Sequence, residues 1–395
     1  MPEAVIKPAS QPLVASYCAT FLKPEMLHIY RQVTGLHRYR TFVVTRERLG
    51  GEAFPFSDIE LLPRTVSLKR FYLKYIRKTP PLCYRGELQQ LNRLFQRRPA
   101  DLMHIYFGEI GVYLLPFIRT STSPCLVSFH GMDIQPRPQT PGYDSDLREL
   151  LRTVPLVLAR SESLLAGLER LGCPREKLRL NRTGIPLDQF PFRRRTLPSD
   201  GEWRFVQACR LIEKKGLPTA LRAFARFHKA FPKAKFVIAG EGPMQPELEA
   251  MIAELGLAGA VELTGFLSQT KLRALYDQSH LFLHPSEMPP NQNQEGVPNS
   301  MLEAMATGLP VLATTHGGIP EAVTHEQTGL LVGERDSEAL FHAMRRLAGE
   351  PELLYVRGRA GALAVREEFE HGKQIEKLES YYDEARALFR HRRSA

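Results

Sequence analysis

The chain has 395 residues, more than one ordinary core holds, so two domains are expected. Its 43% hydrophobic and 24% charged residues make a globular composition, and no run of about 18 apolar residues is present to span a bilayer. The net charge is +10, and five scattered cysteines without a C-x-x-C speak against a zinc site or a disulfide framework and suit a reducing cytoplasm.

The opening Met-Pro-Glu-Ala-Val-Ile-Lys-Pro lacks a basic flank followed by an apolar core, so no secretory leader is expected. Apolar runs predict strands at Leu13–Ala19, Thr41–Thr45, Leu102–Phe107, Cys125–Phe129 and Leu156–Ala159. Helices are predicted over Pro24–Val33, where proline suits the first helical position, and over Leu82–Gln96. Ser161 is placed to cap a helix over Glu162–Leu171, which Gly172 ends.

The charge is concentrated between Leu61 and Arg98, where ten basic residues face one acid, Glu87. Phe71, Tyr72, Leu73, Tyr75 and Ile76 are interleaved with them. Basic and aromatic residues together suit an anionic membrane surface or an anionic acceptor. A solvated basic helix face accounts for the pattern equally well. No helix-turn-helix, zinc or RNP-like pattern supports nucleic-acid binding, so none is expected.

From Gly184 to Gly201 the texture becomes that of a linker, rich in Pro, Gly and Arg. A second alternation follows. Strands are predicted at Trp203–Cys209, Lys235–Ala239, Val261–Thr264, Leu281–His284, Val311–Thr314 and Leu330–Val332. Helices are predicted near Leu217–Phe231, Pro246–Leu255 and Gln269–Tyr276, after Pro298, and through the polar tail from Ser337. Strands alternating with crossover helices imply parallel sheets, here twice. The expected class is therefore α/β, with two doubly wound, Rossmann-like domains facing each other across a cleft. Their expected limits are 1–195 and 196–372, with a helix over 373–395 returning to the first domain.

Ligands of such sheets sit at the carboxyl ends of strands. Arg210 and Lys215 follow the first strand of the second half and can neutralise a diphosphate, or form a merely solvated loop. Gly240-Glu-Gly242-Pro243 lets a ligand approach the backbone, or is an ordinary turn; it lacks the full G-x-G-x-x-G fingerprint. Thr264-Gly-Phe266 ends another strand, where a base can lie against backbone amides. In the first half, Ser128-Phe-His130-Gly-Met-Asp133 puts His130 at a strand end, as a ligand contact or as a structural histidine. Glu295 precedes a helix on which Pro298 suits the first position, and Glu303 lies one turn in. A helix N-terminus suits an anion, so carboxylates beside it are better fitted to sugar hydroxyls than to phosphate.

The string Glu295-Gly-x-Pro-Asn-x-x-Leu-Glu303-Ala-Met-Ala-x-Gly-Leu-Pro-Val-x-Ala-Thr, followed by Gly317-Gly-Ile-Pro-Glu321, closely resembles the donor-site signature of family-4 retaining glycosyltransferases of the GT-B fold. Arg160-Ser-Glu-Ser163, Gly184-Ile-Pro-Leu-Asp188, Arg210-Leu-Ile-Glu-Lys-Lys-Gly216, Gly240-Glu-Gly-Pro243, Gly265-Phe266 and Leu283-His-Pro-Ser286 agree in order, so the resemblance covers nearly the whole chain. Leu102-Met-His-Ile-Tyr-Phe-Gly108 with Ser128–Asp133 looks most like the exopolysaccharide branch, the colanic-acid-type sugar transferases.

The resemblance implies a retaining, metal-independent transfer of a sugar from a nucleotide diphosphate, a UDP-sugar being the expected donor, to a glycan or lipid-linked acceptor. It needs no cofactor or metal. Arg210 and Lys215 would bind the diphosphate, Glu295 the sugar hydroxyls, Glu303 the ribose, and His130 the sugar from the first domain. Gly242, Phe266, Gly296, Val297, Asn299 and Ser300 would complete the donor side. The family's Gly-Gly loop after the first strand is replaced by Cys18-Ala-Thr-Phe-Leu-Lys-Pro-Glu25, which leaves Lys23 or Glu25 to take the acceptor role. Met288–Gln294 reads as an inserted polar segment, expected to shape the sugar pocket or act as a lid. The expected location is cytoplasmic, peripheral on the inner face of the membrane through residues 64–98. The rival readings are a sugar-nucleotide hydrolase or epimerase on the same scaffold, and a non-catalytic sugar-nucleotide-binding protein.

Overall fold

The structure, a computed structural model, describes residues 11–23, 26–63, 70–134, 140, 142–198, 200–290, 292 and 294–394. The chain divides into two units, one of residues 1–160, 165–184 and 372–395 and the other of 161–164 and 185–371.

The first unit carries strands β1 (Leu13–Tyr17), β2 (Thr20–Phe21), β3 (Arg40–Thr45), β4 (Glu47–Arg48), β5 (Ile59–Leu61), β6 (Leu102–Tyr106), β7 (Cys125–Phe129), β8 (Val157–Ala159) and β9 (Leu178–Leu180). Seven of them form a parallel sheet in the order β5-β3-β1-β6-β7-β8-β9, while β2 and β4 pair separately. The second unit carries β10 (Arg204–Ala208), β11 (Lys235–Ala239), β12 (Val261–Gly265), β13 (Leu281–His284), β14 (Val311–Thr314) and β15 (Leu330–Val332), in the order β12-β11-β10-β13-β14-β15. In each sheet the order reverses beside the unit's first strand, between β1 and β6 and between β10 and β13. Such switch points are where doubly wound sheets bind ligands.

The second sheet is buried on both faces, and the strand pleat sends neighbours to opposite sides. Phe205, Leu281 and Leu312 join one apolar cluster with Phe224, Phe227 and Met344. Val206, Phe282, Val311 and Ala313 join the other, with Met301, Leu302, Met305 and Phe369. In the first unit the long C-terminal helix (His371–Ser394) covers one sheet face, packing Leu378, Tyr382 and Ala385 on Val14, Leu102, Leu126 and Leu158. Its Glu379, 1% exposed, accepts the backbone N–H groups of His37 and Arg38 at 2.7 Å each.

Several boundaries differ from the sequence reading. The chain passes between units at Gly184–Ile185, not near residue 195. Ile185 exchanges backbone hydrogen bonds with Phe369 and His371, and Arg195 is buried with its guanidinium on the carbonyls of Tyr276, Asp277 and Thr307. The predicted helix over Leu82–Gln96 is two helices, Pro81–Tyr84 and Glu87–Arg97, because Gly86 adopts φ +74° between them. The helix after Pro298 starts at Asn299. Pro298 itself has ψ 126° and stands as its cap, so it is not the first helical residue. Edge strands β5 and β9 were not anticipated: their residues are half-buried or exposed and carry little apolar signal.

Candidate functional site

The carboxyl end of β10 leads through Cys209 and Arg210 into a tight turn, Glu213–Lys215, closed by Gly216 at φ +59°. A Cβ on Gly216 would lie 1.7 Å from the Pro285 carbonyl oxygen, so only glycine lets this turn press against the segment leaving β13. The turn buries Lys214 and Lys215, each 8% exposed, whereas Arg210 is exposed at the strand end.

Both lysines face Glu295. Lys215 Nζ lies 2.5 Å from Glu295 Oε2, and Lys214 Nζ lies 3.8 Å from Oε1. Burial pushes the Glu295 carboxyl up, but the two ammonium groups outweigh it and bring it down to about 2. Burial lowers Lys214, with Lys215 and Arg210 adding to the effect. Two buried ammonium groups thus meet the Glu295 carboxylate, with the exposed Arg210 near Lys214. His284, at the end of β13, is fully buried here, and burial first and then Lys215 lower its imidazole to about 3, so it stays neutral.

The helix Asn299–Ala306 starts four residues after Glu295 and runs under the sheet, burying Met301, Leu302, Glu303 and Met305. Its first amides have no helical acceptor ahead of them and give the site a positive dipole end. Ser300 is tied down, its hydroxyl donating to the Ala208 carbonyl at 2.5 Å while its own carbonyl accepts Tyr276 O–H at 3.2 Å. Glu303 is 3% exposed, one turn in. Val297 is buried, and a Cβ on Gly296 would meet nothing within 4 Å.

On the other side of β10, Gly240 (φ +142°) and Gly242 follow β11; a Cβ on them would lie 1.8 Å from the Cys209 carbonyl oxygen and 2.3 Å from that of Leu211. These glycines let the β11 loop seat against the β10 loop. Phe266, 61% exposed, follows β12, and its N–H donates to Glu241 Oε1 at 3.3 Å.

His130 belongs to the first unit, after β7, and both its ring nitrogens are engaged. Nδ1 lies 3.0 Å from His28 Nε2, and Nε2 lies 3.0 Å from Ser128 Oγ. Ser128 continues to His104 Nε2 at 3.0 Å, and His104 Nδ1 reaches Tyr382 OH at 2.8 Å. Burial, then Arg160 and His104, hold the His130 imidazole well below its usual range, so it acts as a neutral hydrogen-bonding group. The Asp133 carboxylate accepts the N–H groups of Gly108, His130 and Gly131, which makes it a loop organiser. Lys23 is exposed, and Glu25 lies outside the described residues.

The structure thus brings Lys215 and Glu295 into direct contact, with the Asn299 helix following Glu295; His130 stands in the other unit. Sequence reasoning passed over Lys214 as a charge partner, and His316 and Glu334 altogether. The Lys214-Lys215 doublet was the signal for the first; nothing in the local sequence marks the other two.

Residues 188–362 match the family described as Glycosyl transferases group 1. The chain is 33% identical over 256 residues to the putative colanic acid biosynthesis glycosyltransferase WcaL of Escherichia coli (strain K12), covering 64% of this chain and 62% of that protein. It is 32% identical over 260 residues to the amylovoran biosynthesis glycosyltransferase AmsK of Erwinia amylovora, covering 65% and 64%. The chain thus spans less than two thirds of the length of these curated relatives. In structure it is similar to Anabaena HepE, solved in complex with UDP and glucose, at a TM-score of 0.73, 17% identity and coverage of 94% and 99%, which shows a shared fold.

Proposed function

We propose, from the match of residues 188–362 to the group 1 glycosyl transferases and the shared fold, that the whole chain is a retaining, metal-independent glycosyltransferase of exopolysaccharide assembly. It moves a sugar from a nucleotide diphosphate, with UDP as the expected nucleotide, to a glycan or lipid-linked hydroxyl. The observation that carries this reading is the Lys215–Glu295 contact at the carboxyl ends of the second sheet, inside the family motif.

Arg210, Lys215 and the first amides of the Asn299 helix stabilise the leaving diphosphate, where negative charge develops. Glu295 stays ionised and accepts from sugar hydroxyls with the lone pairs that Lys215 leaves free. Glu303 takes the ribose hydroxyls; Gly242, Phe266, Gly296, Val297, Asn299 and Ser300 border the donor. His130 contacts the sugar, for which its ring exchanges one of its two present hydrogen bonds. The acceptor attacks on the face the diphosphate leaves, and the leaving phosphate takes the acceptor proton. Lys23 and Glu25 are assigned to the acceptor side.

The test is incubation with a panel of nucleotide sugars, with and without lipid-linked acceptor. Transfer that requires acceptor is expected. Fast donor turnover without acceptor would favour a hydrolase or epimerase, and no turnover in either case a binding protein.

A peripheral position on an anionic cytoplasmic membrane face belongs to the same reading. Among the described residues no helix is long and apolar enough to cross a membrane. Phe71, Tyr72, Tyr75 and Ile76 are 51–64% exposed, and Arg70, Lys74, Arg77 and Lys78 stand exposed among them. Each basic residue near an anionic leaflet contributes about 1 kcal/mol. Charge reversal at Arg70 and Lys74 is expected to lower co-sedimentation with phosphatidylglycerol vesicles at least about tenfold. Equal sedimentation of both proteins would remove the membrane assignment.

A further inference from the structure

The polar segment that leaves β13 is tied at both ends to one carboxylate. Glu334, in the loop after β15, accepts the Met288 N–H on Oε2 at 2.7 Å. Its Oε1 lies 2.7 Å from His316 Nδ1, and His316 Nε2 receives the Glu295 N–H at 3.0 Å. A backbone N–H can only donate, so Nε2 accepts and the ring proton sits on Nδ1, facing the carboxylate. The direction of every bond in the chain is thereby fixed, with Glu334 accepting at both of its oxygens.

The neighbours of these two residues hold the same backbone. Arg335 donates to the Met288 carbonyl at 2.5 Å, and Gly318 N–H donates to the Glu295 carbonyl at 3.1 Å. A Cβ on Gly317, itself at φ +57°, would lie 2.2 Å from that Glu295 carbonyl oxygen. His316 is 1% exposed, so its ring cannot turn to water in place of these partners.

We propose that Glu334 and His316 are positioning residues that clamp both ends of the Met288–Glu295 segment and hold the Glu295 backbone where its carboxylate meets Lys215. This rests on the reading of Glu295 as the sugar-side group. The clamp acts through the backbone, so it fixes where the carboxylate stands without itself touching the donor. Glutamine at 334 has one acceptor oxygen for two donors. Its NH2 then opposes one of them, setting donor against donor either at Met288 N–H or at His316 Nδ1–H, so the clamp is lost at one end.

Nitrogen-15 spectra of the ligand-free full chain test this without any variant: His316 is expected as the Nδ1–H tautomer, and an Nε2–H tautomer overturns the clamp. In Glu334→Gln amide exchange in peptides spanning 288–296 rises at least about tenfold, with β10 and β11 peptides unchanged; unchanged exchange at 288–296 also overturns it. Calorimetry with UDP alone, which lacks the sugar, is expected to give the same affinity in wild type and Glu334→Gln, while kcat with a sugar nucleotide falls. A UDP affinity that falls as far as kcat overturns the clamp in favour of a collapsed site. The expected tautomer and exchange in a wild-type chain that transfers no sugar would uphold the clamp and overturn the functional reading instead.

Discussion

Replacement of Lys215 by alanine is expected to abolish measurable transfer and to lower stability by on the order of 3 kcal/mol, the range for removing one partner of a buried ion pair. The Glu295 side chain is 11% exposed, and its partner at 2.5 Å would be gone, leaving Lys214 at 3.8 Å. Stability and activity should then separate. Adding Glu295→Gln to Lys215→Ala removes the stranded charge, so part of the lost stability returns while transfer does not. Wild-type transfer in Lys215→Ala, with an unchanged unfolding midpoint, would sink the assignment of this pair. The same ion pair sets an acid limit. Burial raises the Glu295 carboxyl and the two lysines overcome this, bringing it to about 2, below the unfolded value of about 4.3. A depressed folded value means the stabilisation is complete above the unfolded pKa and is lost as pH falls through the folded one. Thermal unfolding of the wild type should therefore lose this share on acidification from about pH 4.3 towards 2, and Glu295→Gln should show no such share.

Gly216→Ala is expected to cut transfer by at least about 100-fold, the scale of a 1 Å displacement in a reacting site. The added Cβ meets the Pro285 carbonyl oxygen at 1.7 Å, so the Glu213–Lys215 turn or the exit of β13 must move, and each carries part of the site. Gly256 supplies the matched control. It has φ +69° with no atom within 4 Å of a Cβ, so alanine there incurs left-handed strain of about 1–2 kcal/mol and no clash. Near-normal transfer in Gly256→Ala beside a crippled Gly216→Ala would assign the effect to close approach. Equal losses in both would assign it to backbone strain.

Where a segment's environment is uniform, the sequence spoke clearly. β13 and β14 begin and end where their apolar runs do, because strands buried on both faces need continuous hydrophobic residues. Edge strands β5 and β9 were silent for the converse reason, since a half-exposed Ile-Glu-Leu or Leu-Arg-Leu carries no such run. Gly86 was legible as a glycine but not as a break, because a glycine inside a periodic helix pattern is often tolerated.

The site divides in the same way. The motif from Glu295 to Glu303, the glycines that let loops close on one another and the basic turn after β10 are local properties, fixed by residue type and spacing. What only the tertiary structure decided is which charges and hydrogen bonds pair. Lys215 and Glu295 are 80 positions apart and meet because β10 and β13 are sheet neighbours. His316 and Glu334 become partners because β14 lies beside β15. His104 and Tyr382 are 278 positions apart and meet because the last helix covers the first sheet. Periodicity reports burial along one element, whereas the polarity of a site depends on strand order, which no single segment encodes.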